Sequence, residues 1–94
     1  MTKAELVGLI AQKTGVEKST VMTIVETAMD EIKFSIKENE SVFLRGFGTF
    51  NAKKRAKKTG RNIKKNTAVI IHAHYTPSFK PSKSFINEVK NNVK

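Results

Sequence analysis

His72 and His74, Ser78, Ser82 and Ser84, the acids Glu26, Asp30 and Glu31, and a dense run of lysine and arginine are the side chains equipped for chemistry. The two histidines stand two apart, so on a strand they share a face. Without a nearby Cys, Asp or Glu they do not complete a coordination sphere, and no metal site is expected. The serines lie among Pro77, Pro81, Lys80 and Lys83 and have no evident base, which suits a loop and a helix cap better than a nucleophile. The three acids fall on what reads as the solvated face of a helix, away from the basic segment, so they cannot carry metals to a bound phosphate. There is no glycine-rich phosphate loop. The sequence therefore predicts a protein that is not an enzyme, has no cofactor and takes no small-molecule substrate.

The cations remain. The 94 residues carry a formal net charge of +10. Residues 1–52 hold six basic and seven acidic side chains, while residues 53–94 hold twelve basic ones and a single acid, Glu88. From Lys53 to Lys83 there are ten Lys or Arg and no acid. Concentrated like charge destabilises a compact chain unless a polyanion neutralises it. Nucleic acid is that polyanion, with an anionic membrane or a solubilising tail as the other readings. No apolar run approaches the ~18 residues of a membrane span. Met1-Thr2-Lys3-Ala4-Glu5 does not read as a signal peptide. Without cysteine, disulfides and Cys-ligated zinc are excluded. A cytoplasmic protein follows as the expectation.

The elements that must position these cations can be read from periodicity. Thr2 and Glu5 have capping-box spacing, Leu6, Val7 and Ile10 form an apolar stripe, and Gly15 supplies a stop. A second helix is expected from Ser19 or Thr20, with Val21, Val25, Met29, Ile32 and Ile36 on its stripe. At Glu40 the period changes to two: Val42 and Leu44 alternate with Phe43 and Arg45. Gly46-Phe47-Gly48-Thr49-Phe50 then suggests a strand with a bend or a close backbone approach. Residues 68–75 alternate again, Val69, Ile71, Ala73 and Tyr75 against Ala68, Ile70, His72 and His74. Ser82 reads as the N-cap of a last helix bearing Phe85, Val89 and Val93. Between the strands, residues 53–67 have no apolar face and must project into solvent or onto a ligand, with a hairpin tip at 61–66 where Asn66 tolerates positive φ. Setting aside residues 53–76 leaves a body of 70 residues with all six phenylalanines. All six are expected to pack in a core rather than to stack on bases. So much apolar surface in so small a body points to a core shared between two chains.

Gly46-Phe47-Gly48-Thr49-Phe50, followed by Arg55, Lys58 and Arg61-Asn62, resembles the bacterial HU and integration host factor family. The likeness runs through Pro77-Ser78-Phe79-Lys80 and Lys83 and covers the whole chain. It implies an α+β fold: an intertwined dimer of helical hairpins beneath a β-sheet saddle, two extended β-ribbon arms, and a short C-terminal helix. Within a single domain of residues 1–94, residues 1–52 would supply the dimerisation helices and the start of the saddle. Residues 53–76 would form the basic arm, and 77–94 the end of the saddle and the last helix. The arms of such proteins lie in the minor groove and kink the duplex by inserting an apolar wedge.

Carried over by position, Arg55, Lys58, Arg61 and Asn62 would line the arm, and Lys53, Lys80 and Lys83 would grip phosphates. The loop from Arg45 through Gly46 to Phe47 would offer backbone groups at the saddle floor. Lys64 and Lys65 add charge near the tip. Phe47, Phe50 and Phe79 would belong to the dimer core. The pattern places proline directly after Arg-Asn; here Ile63 stands in that position and takes the part of the wedge. The function implied is an architectural, nucleoid-associated protein that binds double-stranded DNA with little sequence preference, bends it and compacts it. It would act as a homodimer, or as a heterodimer with a sister chain. A site-specific relative of the integration host factor kind, an RNA-binding protein and an extracellular DNA scaffold are the alternatives.

Overall fold

The computed structural model describes residues 1–56, 58–62 and 67–93. The chain divides into two compact units, Met1–Phe34 and Ser35–Lys94.

The first unit holds helix α1, Lys3–Thr14, and most of α2, Lys18–Lys37. The start of α1 follows from Thr2, whose hydroxyl accepts the Glu5 N–H at 3.2 Å. Its end follows from Gly15, at φ 74°, whose N–H donates to the Ala11 carbonyl at 2.9 Å. Only a residue without Cβ takes that left-handed stop cheaply. The second helix begins at Lys18, slightly before the expected Ser19 or Thr20, and Val21 N–H donates to the Glu17 carbonyl. Val7 on α1 and Val21 on α2 are the buried apolar side chains among the described residues. Lys3 and Glu26 approach to 3.6 Å between the helices, with both side chains about half exposed. An ion pair so solvated contributes little.

The end of α2 opens the second unit. Asn39 N–H donates to the Ile36 carbonyl and Glu40 N–H to the Ser35 carbonyl, both at 2.9 Å, with Asn39 at φ 59°. This is a Schellman stop with asparagine in the left-handed position. The Ser35 hydroxyl also donates to the Glu40 carbonyl at 3.0 Å. Strands β1 (Val42–Leu44), β2 (Gly48–Arg55) and β5 (His74–Pro81) then form an antiparallel sheet in the order β1-β2-β5. Strands β3 (Lys58–Asn62) and β4 (Thr67–Ile71) form a separate two-stranded ribbon. Helix α3, Lys83–Asn92, closes the chain behind Ser82, whose hydroxyl accepts the Phe85 N–H at 3.2 Å.

One expectation changes. The alternation over 68–75 is not one strand, because β4 ends at Ile71 and β5 begins at His74. On the other side, β2 ends at Arg55 and β3 begins at Lys58, so both chains step out of the ladder at the same level. At the break, the His74 Nδ1–H donates to the His72 carbonyl at 2.8 Å.

Candidate nucleic-acid interface

Register decides which side chains share a face. Thr49, Asn51, Lys53 and Arg55 of β2 pair with Lys80, Ser78, Thr76 and His74 of β5. Opposed residues point to the same side and successive ones to opposite sides. These eight therefore make one continuous polar face carrying Lys53, Arg55 and Lys80. The intervening rungs, Phe50 with Phe79 and Ala52 with Pro77, make the other face, and β1 adds Val42 opposite Phe50 and Leu44 opposite Gly48. The first face carries Lys53, Arg55 and Lys80; the second is apolar up to its last rung, Lys54 with Tyr75, and no Asp or Glu lies in β1, β2 or β5.

The cations are held in place by the ladder. Lys53 and Arg55 are two residues apart, about 6.6 Å along the strand, close to twice the ~3.4 Å charge spacing along one DNA strand. The Arg55 Nε–H donates to Thr76 Oγ1 at 3.2 Å, which orients the guanidinium across β5. Lys53, Arg55 and Lys80 are exposed. Lys83 is exposed at the first position of α3, where its charge adds to the positive end of the helix dipole. Asn51 lies on this face, and among the described residues its covered Oδ1 has no hydrogen-bond partner.

The two glycines of the motif do different work. Leu44, Arg45, Gly46 and Phe47 form a turn closed by Phe47 N–H donating to the Leu44 carbonyl at 2.9 Å, and Gly46 at φ 79° supplies the positive φ of a type II turn. Gly48 allows close approach instead: a Cβ there would stand 2.6 Å from the Lys80 carbonyl oxygen and from the Phe79 ring. Both of the roles suggested by the paired glycines are thus present, one at each.

Phe47, Phe50 and Phe79 come together, with Phe47 and Phe79 still 45% and 37% exposed in the single chain. Phe47 lies 5.1 Å from Phe79 and 5.5 Å from Phe85, and Phe50 lies 4.7 Å from Phe79, ring centre to ring centre. The Phe47 N–H is taken by Leu44 and its carbonyl by the Ser82 N–H. Arg45, Gly46 and Phe47 are all exposed in the single chain, with the Phe47 ring beside Phe79 and Phe85. Lys58, Arg61 and Asn62 fall on β3 of the ribbon. Ile63, Lys64, Lys65 and the expected tip at Asn66, as well as Lys57, lie outside the described residues.

Phe34 and Phe43 are the most exposed of the phenylalanines, 60% and 77% in the single chain. Phe43 is opposite Thr49, on the cationic face. Its position between Val42 and Leu44 held the signal, since alternation alone puts it on the side away from the apolar face. Among the described residues no group of three or more His, Asp or Glu could hold a metal ion, and no helix is long and apolar enough to cross a membrane.

The model of the family described as bacterial DNA-binding protein matches residues 1–90. The chain belongs to this family. It is the family of HU and integration host factor, and relatives of both names are similar to the chain along nearly its whole length. The SPbeta prophage-derived DNA-binding protein HU 2 of Bacillus subtilis is 39% identical over 90 residues, covering 96% of this chain and 98% of that protein. Integration host factor subunit beta of Marinobacter nauticus is 38% identical over 95 residues, covering 100% and 97%. Among solved structures, the Anabaena HU–DNA cocrystal structure superposes with a TM-score of 0.89 at 32% identity, over 100% of both chains. The α+β architecture of three helices and an antiparallel sheet is the HU fold.

Proposed function

We propose that this chain is a nucleoid architectural protein that grips duplex DNA through phosphates, bends it and compacts it with little sequence preference. The observation that carries this reading is the division of the sheet. One face gathers Phe50 and Phe79; the other aligns Lys53, Arg55 and Lys80 with small polar side chains between them. Cations interleaved with short polar groups fit a phosphate backbone, which carries charge but no sequence information. Lys58, Arg61 and Asn62 extend the same chemistry along the ribbon, and Arg45 and Lys83 flank the sheet. Ile63, with Lys64 and Lys65 beside it, stands where the family pattern has proline and is the wedge that offsets unstacking with buried apolar surface.

The active species in this proposal is a dimer. Phe34, Ile24, Val89 and Phe47 are 60%, 59%, 47% and 45% exposed in the isolated chain, more large apolar surface than a single small domain leaves in water. An open groove lined by Phe79, Pro81, Phe85, Ile86, Val89 and Lys90 runs along α3. A second copy, or a sister chain, covers these surfaces and joins their aromatic rings into one core. The protein needs no cofactor, small molecule or membrane, catalyses no reaction, and works in the cytoplasm on the nucleoid.

The similarity to an integration host factor subunit, equal in extent to the similarity to HU, supports a second reading as a site-specific bender. Competition separates the readings. For an HU-like protein, unrelated duplexes of equal length compete within about tenfold, far below the roughly 10³- to 10⁷-fold preference of specific binders. A single favoured sequence in that steep range supports the second reading, and preferential competition by duplex RNA removes both.

A further inference from the structure

From the proposed DNA interface, we infer that Phe43 is a stacking platform on the cationic face, engaging a base that has left the helical stack and so favouring DNA with a gap or an unpaired nucleotide. Three observations carry this. Phe43 is 77% exposed, although its neighbours Val42 and Leu44 lie on the apolar side with Phe50 and Gly48. Its partner is Thr49, and Thr49 in turn pairs with Lys80, so Phe43, Thr49 and Lys80 form one row across three strands. At about 4.8 Å per strand, the ring stands roughly 10 Å from the Lys80 backbone on the same side. Finally, β1 is the edge of its sheet, where a charged side chain would protect against unwanted pairing. A large aromatic ring there is a liability unless a partner covers it.

Charge identifies the partner. No acid lies in the three strands, and Lys53, Arg55 and Lys80 draw a polyanion onto the same face. A nucleic-acid strand whose phosphate meets Lys80 passes its sugars and bases near Phe43. Phenylalanine has no donor or acceptor with which to read a base edge; what it offers is a π-face. In an intact duplex the base faces are already stacked on one another. An unpaired or displaced base has its face free, and base–aromatic stacking tolerates any sequence.

The test compares an intact duplex with the same duplex carrying a two-nucleotide gap, at one salt concentration, for the parent, Phe43→Thr and Phe43→Trp. Threonine keeps β propensity without the ring. Affinity of Phe43→Thr for gapped DNA should fall about 5- to 100-fold while affinity for intact DNA stays within about twofold. Phe43→Trp should restore the gapped affinity, and its indole emission should be quenched by gapped DNA and not by intact DNA. Thermal stability of Phe43→Thr should match the parent. Equal losses on both DNAs, or no loss on either, would overturn the inference. So would a fall in thermal stability or dissociation of the dimer, since the ring would then be packed against another copy. Failure of the parent to bind intact duplex at all would instead overturn the interface on which the inference rests.

Discussion

Lys53 and Lys54 are neighbours in sequence and opposites in placement: the first opposes Thr76 on the polar face, the second opposes Tyr75 on the other. Composition shows only that both are basic, but strand alternation already sets Lys53 and Arg55 on one face and Lys54 on the other, and the register agrees. What the sequence lacks is the long-range pairing that puts Thr76 and His74 beside the first two and Tyr75 beside the third. The glycines behaved differently. Gly-Phe-Gly flanked by alternating apolar residues is a local pattern, and both roles it suggested are found, the positive φ at Gly46 and the close approach at Gly48. The second yields a prediction. Alanine at position 48 would force its Cβ against the Lys80 carbonyl and the Phe79 ring, and the backbone atom cannot rotate away. Gly48→Ala should destabilise the fold by about 1–3 kcal/mol, read as a lower urea midpoint. An unchanged midpoint would mean that β2 and β5 are not so closely apposed there.

At the scale of elements, helix ends were the most legible feature, because a cap is written within a few residues of itself. Thr2, Gly15 and Ser82 all occupy the positions their chemistry predicts. The stop at Asn39 was missed; asparagine's tolerance of left-handed backbone was the available signal. The break between the sheet and the ribbon was not legible, because residues 68–75 alternate without interruption. For the ribbon, the prediction concerns its proposed wedge. If Ile63 enters the base stack, Ile63→Ala should reduce DNA bending far more than affinity, because the phosphate contacts persist. Energy transfer between the ends of a short labelled duplex, at saturating protein, reports the bend. Undiminished bending by Ile63→Ala would remove that residue from the mechanism. Ile63→Pro should preserve the bend, since proline also presents an apolar surface and fixes its own φ.

For the whole molecule, the decisive quantities are apolar surface and charge. Val7 and Val21 are the buried apolar residues among those described, whereas Phe34 and Phe47 are exposed. A chain that gathers rings from a loop, two strands and a helix and leaves them half open has the makings of a shared core. Six phenylalanines in a short body were enough to suggest this from composition; the cluster of Phe47, Phe50, Phe79 and Phe85 shows where the core would grow. If folding and association are one process, the thermal midpoint should rise with protein concentration. Sedimentation that found a folded monomer at micromolar concentration would contradict this. In such a dimer the net charge of +10 would count twice, drawing DNA to the cationic faces. What the account claims above all is that the face of the sheet, and not the mere presence of lysine, sets the grip on phosphate. The dependence of DNA affinity on salt for Lys53→Ala and Lys54→Ala tests it most directly. Removing one cation from a phosphate should reduce the slope of log K against log salt by about 0.9. The account predicts that reduction for Lys53→Ala, on any duplex sequence, and a slope close to the parent's for Lys54→Ala; equal reductions in the two would contradict it.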